Sequence, residues 1–121
     1  VLNKLRDEIH QNAVEHGWWE EERSFGDIIA LCHSELSEAL EEHREGHEPT
    51  EIYYSISEKT IAPSGKTADD IKPEGVAIEL ADCIIRILDY CGKEGIDIEE
   101  AIRIKHEYNK TRPYRHGGKK L

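Results

Sequence analysis

Basic charge is scarce in this sequence. Its 121 residues include 16 Lys or Arg against 26 Asp or Glu, a net charge of −10. Nucleic-acid polymers and anionic membranes are bound through basic patches, so neither is an expected partner. Cysteine is equally limiting. Cys32, Cys83 and Cys91 are odd in number and have no CxxC spacing. All three fall in helical patterns, where cysteine acts as a small hydrophobe, and a reduced, cytoplasmic setting is expected. No apolar run approaches a membrane span, and nothing at the start reads as a signal peptide. The chain starts at Val1 without methionine, from which we expect removal of one or more residues. An intact phosphate-binding loop is missing too. Ser64-Gly65-Lys66-Thr67 has the ending of that motif, but Thr60 stands where its first glycine belongs.

What the sequence does have is paired acid. Glu35-x-x-Glu38 and Glu79-x-x-Asp82 each lie inside a helical pattern. Residues three apart share a helix face, so each pair presents two carboxylates side by side. Two like charges 4 Å apart repel by roughly 4 kcal/mol even at an effective dielectric near 20. Four carboxylates brought together therefore need a cation, and hard oxygens favour Mg²⁺, Mn²⁺ or Ca²⁺. The phase of the helix from Val76 to Cys91 strengthens this reading. Ala77, Leu80, Ala81, Ile84, Leu88 and Cys91 share one face; Ile78 and Ile85 flank it on one side, Val76, Cys83 and Tyr90 on the other. The remaining stripe is Glu79, Asp82, Arg86 and Asp89. On a helix apolar nearly all round, such a stripe is expected to face protein or ligand. The bland reading, a solvated acidic face, fits Glu35 and Glu38 taken alone better than it fits Glu79 and Asp82.

Periodicity lays out the rest. Leu2, Leu5, Ile9 and Ala13 predict a first helix ended by Gly17, followed by the tandem Trp18-Trp19. A second helix is expected from Ser24, with Asp27 three residues on, to about Arg44. Its apolar stripe, expected to face inward, is Ile29, Cys32, Leu36 and Leu40, with Ala39 beside it. Residues 47–75 carry Pro49, Pro63, Pro73 and Gly65 and read as a long loop. Within it only Ile52–Ile56 is expected to be ordered, as a short strand or helical turn. The third helix is expected from about Pro73 or Glu74 to Tyr90, and Asp97 with Glu100 caps a fourth. There Ile98, Ala101 and Ile102 begin an inward stripe that continues to Lys105, Asn109 and Arg112. Polar residues where apolar ones are due suggest a lined site, with a helix end emerging into solvent as the alternative. Residues 113–121 form a basic, glycine-rich tail.

The combination of Glu35-Leu36-Ser37-Glu38-Ala39, Glu79-Leu80-Ala81-Asp82 and Lys105-x-x-x-Asn109-x-x-Arg112, with His116-Gly117-Gly118-Lys119 behind it, resembles the MazG-like nucleotide pyrophosphohydrolases. That family sits in the all-α NTP pyrophosphohydrolase superfamily, with the dimeric dUTPases and phosphoribosyl-ATP pyrophosphohydrolases. The resemblance runs from the second helix to the C-terminus. Its departure is the segment 47–75, which makes the gap between the acidic pairs longer than in compact members. The resemblance implies one all-α domain over 1–121, a four-helix bundle with a long loop between helices 2 and 3. It implies Mg²⁺, with Mn²⁺ as a substitute, held by Glu35, Glu38, Glu79 and Asp82. It also implies hydrolysis of a (deoxy)nucleoside triphosphate to monophosphate and pyrophosphate, with nucleotide-pool cleaning as one role.

The chemistry agrees on independent grounds. An acidic pocket accepts a triphosphate only through a divalent cation, which also polarises phosphoryl oxygens. Glu38 is the nominated base for the attacking water. Lys105, Arg112 and Arg115 suit phosphate oxygens, and Asn109 suits phosphate, sugar or base. Trp18 and Trp19 suit base stacking, with a core or interface role as the alternative. A third helix apolar on so many sides predicts a homodimer or a dimer of dimers. A diiron carboxylate site fits poorly, because that class uses Glu-x-x-His pairs. His43 and His47 are spaced for zinc but span Gly46, so a surface position is expected. The alternative of another class is a non-catalytic helical module that binds nucleotide, metal or another protein.

Overall fold

The computed structural model describes residues 1–61 and 67–114. These are mostly helical, with four helices and one two-stranded sheet among the described residues: α1 (Leu2–Glu15), α2 (Phe25–Arg44), β1 (Tyr53–Ile61), β2 (Thr67–Glu74), α3 (Val76–Glu94) and α4 (Ile98–Lys110). They fall into two compact units. A central unit spans Glu22–Ile87, and a terminal unit combines Val1–Glu21 with Leu88–Leu121. None of the helices among the described residues is long and apolar enough to cross a membrane.

In the central unit α2 starts where its sequence can hold a start. Ser24 Oγ accepts from the Asp27 amide at 3.0 Å, and Asp27 Oδ2 accepts from the Ser24 amide at 3.3 Å. This reciprocal box satisfies two backbone donors that helix geometry leaves unpaired. The far end stops at Gly46, whose φ of +91° suits glycine. The buried residues of α2 are Ile28, Cys32, Glu35 and Ala39. This corrects the expected inward stripe. Cys32 is buried as expected, but Ile29, Leu36 and Leu40 are exposed. The helix is turned so that Glu35, not Leu36, goes inside. On α3, likewise, Cys83 and Glu79 are buried while Leu80 and Ile84 are exposed.

The segment between α2 and α3 is more ordered than expected. The short strand expected around Ile52–Ile56 falls in a longer β1. Pro73 and Glu74, the expected start of the third helix, end β2 instead, with α3 running from Val76 to Glu94. β1 and β2 pair antiparallel, with Tyr53 opposite Glu74, Tyr54 opposite Pro73 and Ile56 opposite Ile71, and an irregularity between Ser57 and Thr60. Pro73 is tolerated because each strand of a two-stranded ribbon is an edge, where a missing N–H need break no ladder bond. A ribbon of two strands is marginal by itself. This one is pinned at its base by Tyr53, whose hydroxyl donates to the Glu42 carboxylate of α2 at 2.7 and 2.8 Å. The Tyr53 ring also stacks on His47, centroids 4.5 Å apart. Gly75, with φ of +133°, turns the ribbon into α3, and its Cα passes so close to the Glu51 carbonyl that a Cβ would collide. Of the Ser64–Thr67 motif, residues 64–66 lie outside the described residues, and Thr67 opens β2.

In the terminal unit the last turns of α3 bury Leu88, Asp89 and Cys91. Gly92 lets α1 approach closely, since a Cβ there would lie 2.5 Å from His10 Cβ. Arg6 donates to the Ile96 carbonyl at 2.6 Å, and Asn3 donates to Asp97 at 2.9 Å. Asp97 in turn caps α4 by accepting from the Glu100 amide at 3.0 Å. α4 has no buried residue, so its expected inward stripe is not inward within this unit. Arg112 lies beyond the helix, after the cap residue Thr111.

Candidate metal centre

The central acidic set comes from the middle of α2 and the first two turns of α3. Glu35 and Glu38 stand one turn apart on α2, Glu79 and Asp82 one turn apart on α3, with their backbone groups already used by the helices. One carboxylate oxygen each from Glu35, Glu79 and Asp82 lies within 4.8 Å of the others. Glu35 and Glu79 are both only 8 % exposed. Glu38 differs: it is exposed, and it joins the set through a hydrogen bond shared with Glu79. The structure thus gathers all four predicted acids, three as a tight triad and the fourth against one member of it.

The electrostatics match that crowding. Burial pushes the Glu79 carboxyl up from the ordinary 4.5 to about 7, helped by the bond to Glu38 and by the charges of Glu38, Asp82 and Glu35. Burial and then Glu35 also raise Asp82, with Arg86 and Lys72 opposing. Glu79 Oε2 is buried without a hydrogen-bond partner. A buried carboxylate oxygen left unpaired costs on the order of 1–3 kcal/mol or more, a cost that a bound cation would offset. Arg86 supplies part of the compensation, its Nε donating to Glu35 Oε1 at 2.9 Å.

Whether this set suits a divalent cation is a question of donor type and span. All donors are hard carboxylate oxygens. Opposed oxygens around Mg²⁺ lie roughly 4.2 Å apart and around Ca²⁺ roughly 5 Å apart, and oxygens all within 4.8 Å of one another are compatible with either ion. The orphaned Oε2 provides a ligand with no competing bond. The residues present fit the group.

A second group, Glu42, Glu45 and His47, also brings one ligand atom from each residue within 4.8 Å of the others. Its members are already engaged. Both Glu42 oxygens accept from Tyr53, and His47 Nδ1 lies 3.1 Å from Glu51. Hydrogen bonding to Glu42 pushes the Tyr53 phenol far above its usual range. His43, paired with His47 in the zinc reading, is not a member of this group.

The other nominated residues belong to the terminal unit. Lys105 Nζ lies 4.8 Å from the Tyr108 ring centroid and the Arg112 guanidinium 5.4 Å from it, so two predicted phosphate ligands converge on one tyrosine. Asn109 is exposed. Trp18 is half-buried. Trp19 Nε1 donates to Asp89 Oδ1 at 2.9 Å, His10 Nδ1 meets the same oxygen at 2.8 Å, and Lys93 lies over the indole at 5.1 Å. Arg115 and the His116-Gly117-Gly118-Lys119 run lie outside the described residues. Sequence reasoning missed Tyr108, whose signal was its i+3 spacing from Lys105. It also missed the Arg86–Glu35 bond, signalled only by a lone cation in an acidic stripe.

No protein-family model, curated protein or solved structure matches the chain.

Proposed function

We propose that this chain is a Mg²⁺-dependent nucleoside triphosphate pyrophosphohydrolase, a single MazG-like domain over 1–121 with a helical bundle of that type. The observation that carries the reading is the buried, unpartnered Glu79 Oε2 inside a set of four carboxylates from α2 and α3. Glu35, Glu79 and Asp82 would hold the cation, with Glu38 completing the set. Mn²⁺, equally hard toward oxygen, would substitute. A divalent cation bound there neutralises triphosphate charge and polarises phosphoryl oxygens. Glu38, the exposed acid of the four, is the base that takes the proton of the attacking water. The sequence resemblance gives Lys105, Asn109, Arg112 and Arg115 the phosphates and sugar, and Trp18 and Trp19 the base.

Attack at the α-phosphorus releases pyrophosphate; attack at the γ-phosphorus releases phosphate. Gamma attack in P-loop enzymes depends on a glycine-rich backbone cradle, which this sequence lacks. The products are therefore monophosphate and pyrophosphate, from a deoxynucleoside or nucleoside triphosphate. Turnover in ¹⁸O water tests this. Label in the nucleoside monophosphate is the expected result. Label confined to orthophosphate, with diphosphate accumulating, would refute it.

The same proposal includes a homodimer or dimer of dimers. Phe25, Ile29, Leu36 and Leu40 run along α2 at helical spacing, and Leu80, Ile84 and Ile87 along α3, all exposed. Such stripes on a unit whose buried apolar residues are Ile28, Cys32, Ala39 and Cys83 call for a second copy to cover them. Three free, buried cysteines suit the reducing cytoplasm.

A further inference from the structure

Charge balance within the carboxylate set assigns a role to a residue that no part of the reaction above uses. Arg86 is one turn beyond Asp82 on α3, so its side chain lies along the acidic stripe. Its Nε donates to Glu35 Oε1 at 2.9 Å. The pair is partly withdrawn from water, with side-chain exposures of 29 % for Arg86 and 10 % for Glu35, so solvent screens it incompletely. The guanidinium also acts beyond its direct partner, holding down the carboxyl of Asp82 more strongly than Lys72 does.

We propose that Arg86 is a built-in counterion of the cation site, occupying Glu35 with fixed positive charge against which any divalent cation must bind. The inference rests on the cation site of the preceding subsection. An ion held by Glu35 lies within about 7 Å of Arg86 Nε, given the 2.9 Å bond and an ordinary metal–oxygen distance. At that range two positive charges and one repel by far more than thermal energy, even at an effective dielectric near 20. Arg86 therefore sets affinity. It keeps the acids together without a metal, and it weakens metal binding to a reversible level. A merely structural arginine would do the first and not the second, because its loss would loosen the ligands and weaken binding.

The test uses the whole chain and Mn²⁺ alone, with free ion followed by electron paramagnetic resonance and heat by calorimetry. Arg86→Gln is expected to bind Mn²⁺ at least about tenfold more tightly than wild type while melting at a lower temperature in chelator. Arg86→Lys keeps the charge and is expected to stay within about threefold of wild type. Unchanged or weaker Mn²⁺ binding by Arg86→Gln overturns the proposal, as does equal tightening by Arg86→Lys. An Arg86→Gln chain that is unfolded in chelator must fold when Mn²⁺ is added; failure to do so also overturns it. Asp82→Asn separates the two levels. If it leaves Mn²⁺ affinity intact, the cation site itself is wrong. If it weakens affinity but Arg86→Gln does not tighten it, the counterion alone is wrong.

Discussion

Glu79 makes the metal-free protein sensitive to pH in a direction opposite to that of an ordinary paired carboxylate. Its carboxyl is raised from 4.5 to about 7, chiefly by burial. The folded chain thus keeps a proton that the unfolded chain releases above about pH 4.5. The stabilisation is complete below the unfolded value and is lost as pH rises through about 7. Integrated over that window the loss is roughly 3 kcal/mol at pH 8, shared with the hydrogen-bonded Glu38. That is a large fraction of the 5–15 kcal/mol or so that holds a domain together. Glu79→Gln isolates the effect, since a neutral isostere keeps the bond to Glu38 without ionising. Urea unfolding in chelator, run from pH 4.5 to 8, is the assay. The two proteins should be within about 1 kcal/mol of each other at pH 4.5, and the variant should be roughly 2–3 kcal/mol more stable at pH 8. Saturating Mg²⁺ should flatten the wild-type curve, because the cation takes over from the proton. A wild-type curve in chelator that runs parallel to that of Glu79→Gln across the window would refute the reasoning.

Asp82→Asn should lower Mg²⁺ affinity in calorimetry and abolish pyrophosphate release; unchanged values of both would mean the acids do not form a cation site. Lys105→Ala and Arg112→Ala should each weaken triphosphate binding by roughly 1.5–3 kcal/mol while leaving Mg²⁺ binding of the free protein intact. Equal loss of metal and substrate binding would make them fold residues instead. Ile84 is 54 % exposed, so Ile84→Asp should be harmless to a monomer. We expect light scattering to show wild type as a dimer or tetramer and this variant as a smaller species; a wild type that is monomeric at micromolar concentration would remove the oligomer proposal.

Local chemistry in this chain is legible because it depends on near neighbours. Ser24 with Asp27, Asp97 with Glu100, and the glycines at 17, 46 and 95 start and stop helices through bonds and dihedrals only a few residues long. The polar stripe Glu79, Asp82, Arg86 and Asp89 could likewise be read from helical phase, and Glu79 and Asp89 are indeed buried. Which side of α2 turns inward could not be read. Ile28 and Ile29 are equally apolar, and the side that buries Ile28 is the one that carries Glu35, which accepts from Arg86 of α3. The ribbon of β1 and β2 was hidden for a similar reason. Pro73 and Gly75 look like loop signals until Tyr54 and Glu51, 19 and 24 residues away respectively, lie beside them. Spacing placed the four acids in pairs. Only the tertiary structure decided that Glu38 is the exposed one and that Glu79 carries the unpaired oxygen, because burial and hydrogen-bond partners are properties of two helices meeting and not of either alone.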